Sequence, residues 1–168
     1  MTTGDASLSL PRTAVAVQLR LADGELFAGD VFVMDRVPYR DGPETVLEML
    51  NRAEEFFPFR VRPKKKKKGE PETEVLLVAR RHTVAVAREI PGPLGDPERR
   101  AAAHAVTFHT HLTTGDPITG EARFEAPAMR QRPLDYLNAT NDPFFAVTQG
   151  DTTWYINRAH VRFVRPGN

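Results

Sequence analysis

The sequence contains no cysteine. That absence removes disulfide scaffolds, thiolate zinc sites, iron–sulfur clusters and thiol nucleophiles at once, and it favours a reducing, intracellular compartment. Long apolar runs are missing too. None approaches the roughly 18 residues of a membrane-crossing helix, and Met1 to Arg12 has neither a basic start nor an apolar stretch. The expectation is a soluble, cytoplasmic protein with no membrane partner. Net charge is almost absent, at 23 basic against 22 acidic side chains, so any electrostatic signal has to be local. Catalytic motifs are likewise lacking. There is no Gly-x-Ser-x-Gly elbow, no phosphate-cradling glycine loop, no Gly-x-Gly-x-x-Gly, and no histidine with an evident nucleophile beside it. The chain reads as a non-enzyme without cofactor or metal.

What is present is globular in character: 40% apolar and 27% charged residues, in a chain of 168 that allows one ordinary domain or two very small ones. Sliding the chain against itself uncovers a duplication. AVAVQLRLADGELFAGDVFV, from Ala14 to Val33, matches AVTFHTHLTTGDPITGEARF, from Ala105 to Phe124, without a gap and with both glycines coincident. EMLN at Glu48 to Asn51 then meets DYLN at Asp135 to Asn138, and Phe56-Phe57 meets Phe144-Phe145. Finally LLVARRHTVAV, from Leu76 to Val86, meets WYINRAHVRFV, from Trp154 to Val164, with His82 opposite His160. The domain reading is a flexible N-terminus over residues 1–12, a first repeat over 13–88, a linker with a short helix near Asp96 over 89–104, and a second repeat over 105–168.

Each copy reads as mainly strand. Val15, Val17, Leu19 and Leu21 alternate at period two, Asp23-Gly24 supplies a turn, and Phe27, Gly29, Val31 and Val33 resume the alternation, which predicts a hairpin. A short helix follows, opened by Pro43 in the first copy and by Pro133 in the second, with Asn51 and Asn138 as left-handed C-terminal caps. Three more strands complete each copy: 56–61, 74–79 and 82–87, then 144–148, 152–156 and 160–164. Five short strands make too little core for a sandwich, whereas a sheet bent round on itself has no open edges. The predicted fold is therefore two tandem five-stranded small β-barrels, each with a helical insertion.

LADGELFAGDVFVMD, Leu21 to Asp35, with ARRHTVAV and NRAHVRFV, resembles the Sm-like (SH3-like) small barrels. In that family subunits pair edge to edge and turns bind single-stranded RNA. The resemblance implies phosphate contact at Arg80, His82, Arg158 and His160. RPLDYLN, Arg132 to Asn138, is also similar to a tract in bacterial barrel proteins that carry a helical insertion there.

The local charge signal is Lys64, Lys65, Lys66, Lys67 and Lys68, flanked by prolines and by Glu70, Glu72 and Glu74. Such a run either neutralises phosphates or is a solvated loop. His82 and His160 read as side chains hydrogen-bonded in the turn before the last strand, or as anion contacts. His109 and His111 alternate on one strand without a third metal ligand beside them. Phe56, Phe57, Phe144, Phe145, Tyr136, Trp154 and Tyr155 read as core and helix contact rather than as a base-stacking platform. Two functions follow as expectations. The first is a binding, adaptor or assembly module that contacts a protein partner, or itself, through barrel edges and inserted helices. The alternative is RNA or single-stranded nucleic-acid binding through Lys64 to Lys68, Arg80, Arg81 and Arg158.

Overall fold

The computed structural model describes residues 11–63, 73–90, 104–124, 129, 132–139 and 141–167. The first half contains β1 (Arg12–Leu21), β2 (Leu26–Met34), α1 (Val46–Leu50), β3 (Phe56–Val61), β4 (Glu74–Ala79), a 3-10 turn (Arg80–His82) and β5 (Thr83–Glu89). The second contains β6 (His104–Leu112), β7 (Ile118–Phe124), α2 (Pro133–Asn138), β8 (Phe144–Gln149), β9 (Thr152–Asn157), a 3-10 turn (Arg158–His160) and β10 (Val161–Pro166). The helix expected near Asp96 and the lysine run lie outside the described residues.

The sequence repeat reappears as a repeat of register. Val15 faces Val31 and Val17 faces Gly29, just as Val106 faces Ala122 and Phe108 faces Gly120. Gly24 and Gly115 sit at equivalent hairpin turns with φ of 89° and 81°, where a side chain would be strained. Gly29 is required for a different reason: a Cβ there would lie 2.1 Å from the Arg60 carbonyl oxygen, so β3 crosses β2 at a distance only glycine permits. Helix α1 begins later than Pro43 suggests. Its start is a capping box, in which the Glu48 amide donates to Thr45 Oγ1 at 3.1 Å and the Thr45 amide donates to Glu48 Oε1 at 3.0 Å. The left-handed caps expected at Asn51 and Asn138 are absent, since no described non-glycine residue has positive φ; Asn51 sits at φ −89°, ψ 6°.

The fold is mainly β, as expected, but its strands form one ten-stranded antiparallel sheet in the order β10-β6-β7-β8-β9-β5-β1-β2-β3-β4. The two separately closed barrels expected from sequence are thus replaced by one open sheet with β4 and β10 as its edges. The physical reason lies in the three-residue turns. Arg80–His82 is a 3-10 turn that carries the chain from β4 into β5 without forming a hairpin, so β5 pairs with β1 on one side and leaves its other side free. That free side is taken by β9 of the second half.

Each half still wraps a core of its own. Val17, Leu19, Val31, Val33, Phe57, Phe59, Val78 and Val86, drawn from all five strands of the first half, pack with Val46, Met49 and Leu50 of α1. Val106, Phe108, Leu112, Ile118, Ala122, Phe145, Val147 and Ile156, from β6 to β9, form the second core, against which Tyr136 and Leu137 of α2 and Val161 and Val164 of β10 pack. Phe144 and Tyr155 of the second half join the first core, whereas Val84 and Ala85 of the first join the second. Burial on this scale, at about 25 cal/mol per Å² of apolar surface, is what holds the halves together.

Candidate assembly interface

The seam between the halves shows what the sheet does with an open edge. Across it Ala85 faces Ile156, Val86 faces Tyr155, Ala87 faces Trp154, Arg88 faces Thr153 and Glu89 faces Thr152. The ladder continues beyond the strands, where the Ile90 amide donates to the Asp151 carbonyl at 2.7 Å. Side chains lock it. Asn51, at the end of α1, clamps the start of β8: the Phe144 amide donates to Oδ1 at 2.8 Å and Nδ2 donates back to the Phe144 carbonyl at 3.2 Å. Asn157 at the end of β9 is buried and donates from Nδ2 to the Thr83 carbonyl at 2.9 Å and the Arg80 carbonyl at 3.2 Å. His160 bridges from the second half, with Nε2 2.7 Å from the Arg81 carbonyl and Nδ1 3.1 Å from Thr113 Oγ1. Because a carbonyl only accepts, this bonding assigns the proton to Nε2. Arg20 lies over the Trp154 ring at 5.4 Å and donates to the Asp116 carbonyl at 3.0 Å; burial there lowers its pKa, with Asp116 opposing.

Each of these elements has an equivalent at an outer edge of the sheet. By the repeat, β4 stands for β9 and β10 stands for β5. Leu77, the equivalent of Tyr155, is 74% exposed where Tyr155 is 6% exposed. Phe56, the equivalent of Phe144, is 52% exposed where Phe144 is 1% exposed. Val75 on β4 and Leu134 on α2 are also exposed, and so is Asn138, the equivalent of Asn51. On the other edge Phe163 is partly exposed beneath Arg162 and Arg165, with the His111 ring stacked on it at 4.3 Å. The open backbone groups follow from strand alternation. Gly167 turns its amide to the Thr107 carbonyl of β6 at 2.9 Å, so Val164 and Pro166 turn to the open side. Along β5, Ile90 bonds β9, so Val86 and Arg88 also face the seam.

The site residues read from sequence fall in different places. Lys64 to Lys68 lie outside the described residues. Arg80 is buried, and its guanidinium donates to the carbonyls of Leu50, Met49, Glu54 and Phe56 while lying over the Phe57 ring. Arg158 repeats the arrangement on the Asp142 and Leu137 carbonyls and over Phe145. Both arginines therefore hold the end of a helix and the start of the next strand within their own half. Arg81 is exposed, with Nε 3.4 Å from His82 Nε2. His160 crosses the seam, as described above. His109 is bonded to Thr119 at 3.0 Å and His111 is stacked on Phe163, and among the described residues no three potential metal ligands converge. Phe57, Phe144, Phe145 and Tyr155 are core, but Phe56 is not.

Compared with protein-family models, with curated proteins and with solved structures, the chain matches none. No helix among the described residues is long and apolar enough to cross a membrane. The seam residues Asn51, Asn157 and Arg20 were not singled out as interface groups by the sequence. The one usable signal was the recurrence of Asn51 as Asn138 after matching helices, which a capping role explains equally well.

Proposed function

We propose that the chain is a non-catalytic assembly module made of two Sm-like or SH3-like units joined edge to edge, whose remaining edges, β4 and β10, accept strands of a protein partner. One observation carries this reading: Tyr155 and Phe144, buried at the seam, have exposed apolar equivalents in Leu77 and Phe56 on the β4 side, and on β10 Phe163 is exposed where its equivalent Ala85 is buried. Long unprotected edges are a liability in an isolated protein, and strand addition is the ordinary way to satisfy them. The single-stranded RNA reading has less support, because the Arg80 and Arg158 guanidinium groups are directed at carbonyls of the chain itself.

The test is site-specific cross-linking in cells of the native host. A photoreactive side chain at position 77 is expected to capture a protein in high yield, and the same group at exposed position 26 to capture none. Equal capture from both positions, or from neither, overturns the proposal. Replacing Lys64 to Lys68 with serine is expected to leave that capture unchanged.

A further inference from the structure

Resting on that reading, we infer that β10 receives an acidic segment of a protein partner, laid along the strand with carboxylates at alternate positions. The repeat shows what is particular to this edge. Phe163 and Arg165 stand where β5, at the inner seam, has Ala85 and Ala87, and Arg162 stands where β5 has Val84. Small apolar side chains suit a neighbour that brings Ile156 and Trp154 close. An aromatic ring held between arginines presents charge instead.

Phe163 and Arg165 pair with His111 and His109 of β6, so the four share one face of the sheet. The His111 ring lies on Phe163 at 4.3 Å with 18° between the planes, and the guanidinium carbons of Arg165 and Arg162 lie 5.3 Å and 5.8 Å from the ring centre. These contacts fix two cations in place without neutralising them. Both arginines are exposed, and neither has a carboxylate partner among the described residues. β10 and β6 contain no acidic residue, and the glutamate of β7, Glu121, is paired with Arg123 at 3.4 Å. The charge on this face is therefore left for a partner. Base stacking fits less well, because His111 and the two arginines already occupy the Phe163 ring. The backbone sets the form of that partner. Val164 turns its amide to the open side, whereas Pro166 has none to offer, so the ladder is short and side chains carry the recognition. In a strand placed there every second side chain falls on the face of Phe163 and Arg165, which fixes the spacing of the carboxylates.

The experiment is fluorescence anisotropy on the full chain with a labelled peptide of alternating glutamate and threonine. Saturable binding is expected. Arg162→Glu combined with Arg165→Glu should weaken it at least about tenfold, the summed effect of two exposed ion pairs turned repulsive. The milder pair Arg162→Gln and Arg165→Gln, expected to cost about fivefold, covers the case in which the charge reversal does not fold. Phe163→Leu should cost about threefold by releasing both guanidinium groups. Leu77→Ser on β4, and serine in place of Lys64 to Lys68, should each bind within about twofold of wild type, being remote from β10. Absence of saturable binding overturns the inference, as does equal binding of a peptide of the same composition with its glutamates in one block. So does a loss on replacing the lysine run that the arginine variants do not reproduce, or tighter binding of an oligouridylate that depends on the same arginines. If the peptide fails while position 77 still captures a host protein, the acidic complement is wrong and the edge reading survives. If neither occurs, both are wrong.

Discussion

The inner seam and the outer edges are built from one repeated plan and end in opposite states. At the seam Tyr155 and Phe144 are buried and two asparagines close the gap between backbones. At the edges Leu77 and Phe56 are exposed, Ala79 stands where Asn157 does and Pro166 where Arg88 does. The difference teaches that strand pairing by itself is generic, and that a few polar side chains aimed at carbonyls decide whether a given pair of edges is locked or left open.

The comparison breaks most severely at the arginine that both halves share. Arg80→Ala leaves four carbonyls without their donor inside the first half, and at about 1–3 kcal/mol for an unsatisfied buried group the expected loss is about 3 kcal/mol or more in denaturant unfolding. Arg158→Ala, with fewer carbonyls and a more exposed site, is expected to cost less than half as much. Arg80→Lys should not rescue, because an ammonium does not present the planar fork. Equal losses at the two positions would show that the arginines are not buried to different degrees in solution.

Next in size is the asparagine pair. Asn157→Ala is expected to destabilise the isolated chain by about 1–2 kcal/mol, read from the unfolding midpoint at constant slope. Asn138→Ala should stay within about 0.5 kcal/mol of wild type in the same assay, because Asn138 is exposed. A stability loss at Asn138 as large as that at Asn157 would remove the distinction between locked and open seams.

The smallest effect sharpens the contrast between the two inserted helices. Burial works against ionisation of Glu48, but hydrogen bonds from Arg40, Tyr39 and Thr45 prevail and bring its pKa from 4.5 to about 2. A carboxyl whose pKa is lower folded than unfolded contributes stability that is complete above its unfolded pKa and lost as pH falls toward the folded value. Stability should therefore decline between about pH 5 and pH 2, and Glu48→Gln should flatten that slope while lowering stability at pH 7. A slope unchanged by the substitution would place the acid sensitivity elsewhere.

Much of the fold was legible before any coordinates. The boundaries of β3 and β4 coincide with the periodicity, and the matched glycines mark equivalent turns and equivalent close crossings. Other features were hidden by ambiguity of residue type. Asn51 after a helix reads as a cap, and its partner Phe144 is remote in sequence. Arg80 beside Arg81 and His82 reads as a basic turn, although its guanidinium is turned inward onto the end of α1.

The sequence alone determined the repeat, its strands, its turns and the apolar set of each half, because alternation and glycine placement act within a few residues of chain. Whether each half would close on itself or share a ladder with the other was decided only by the tertiary structure. That choice depends on which edge a three-residue corner leaves uncovered, and on whether the side chains that meet there, far apart in sequence, satisfy one another's backbone.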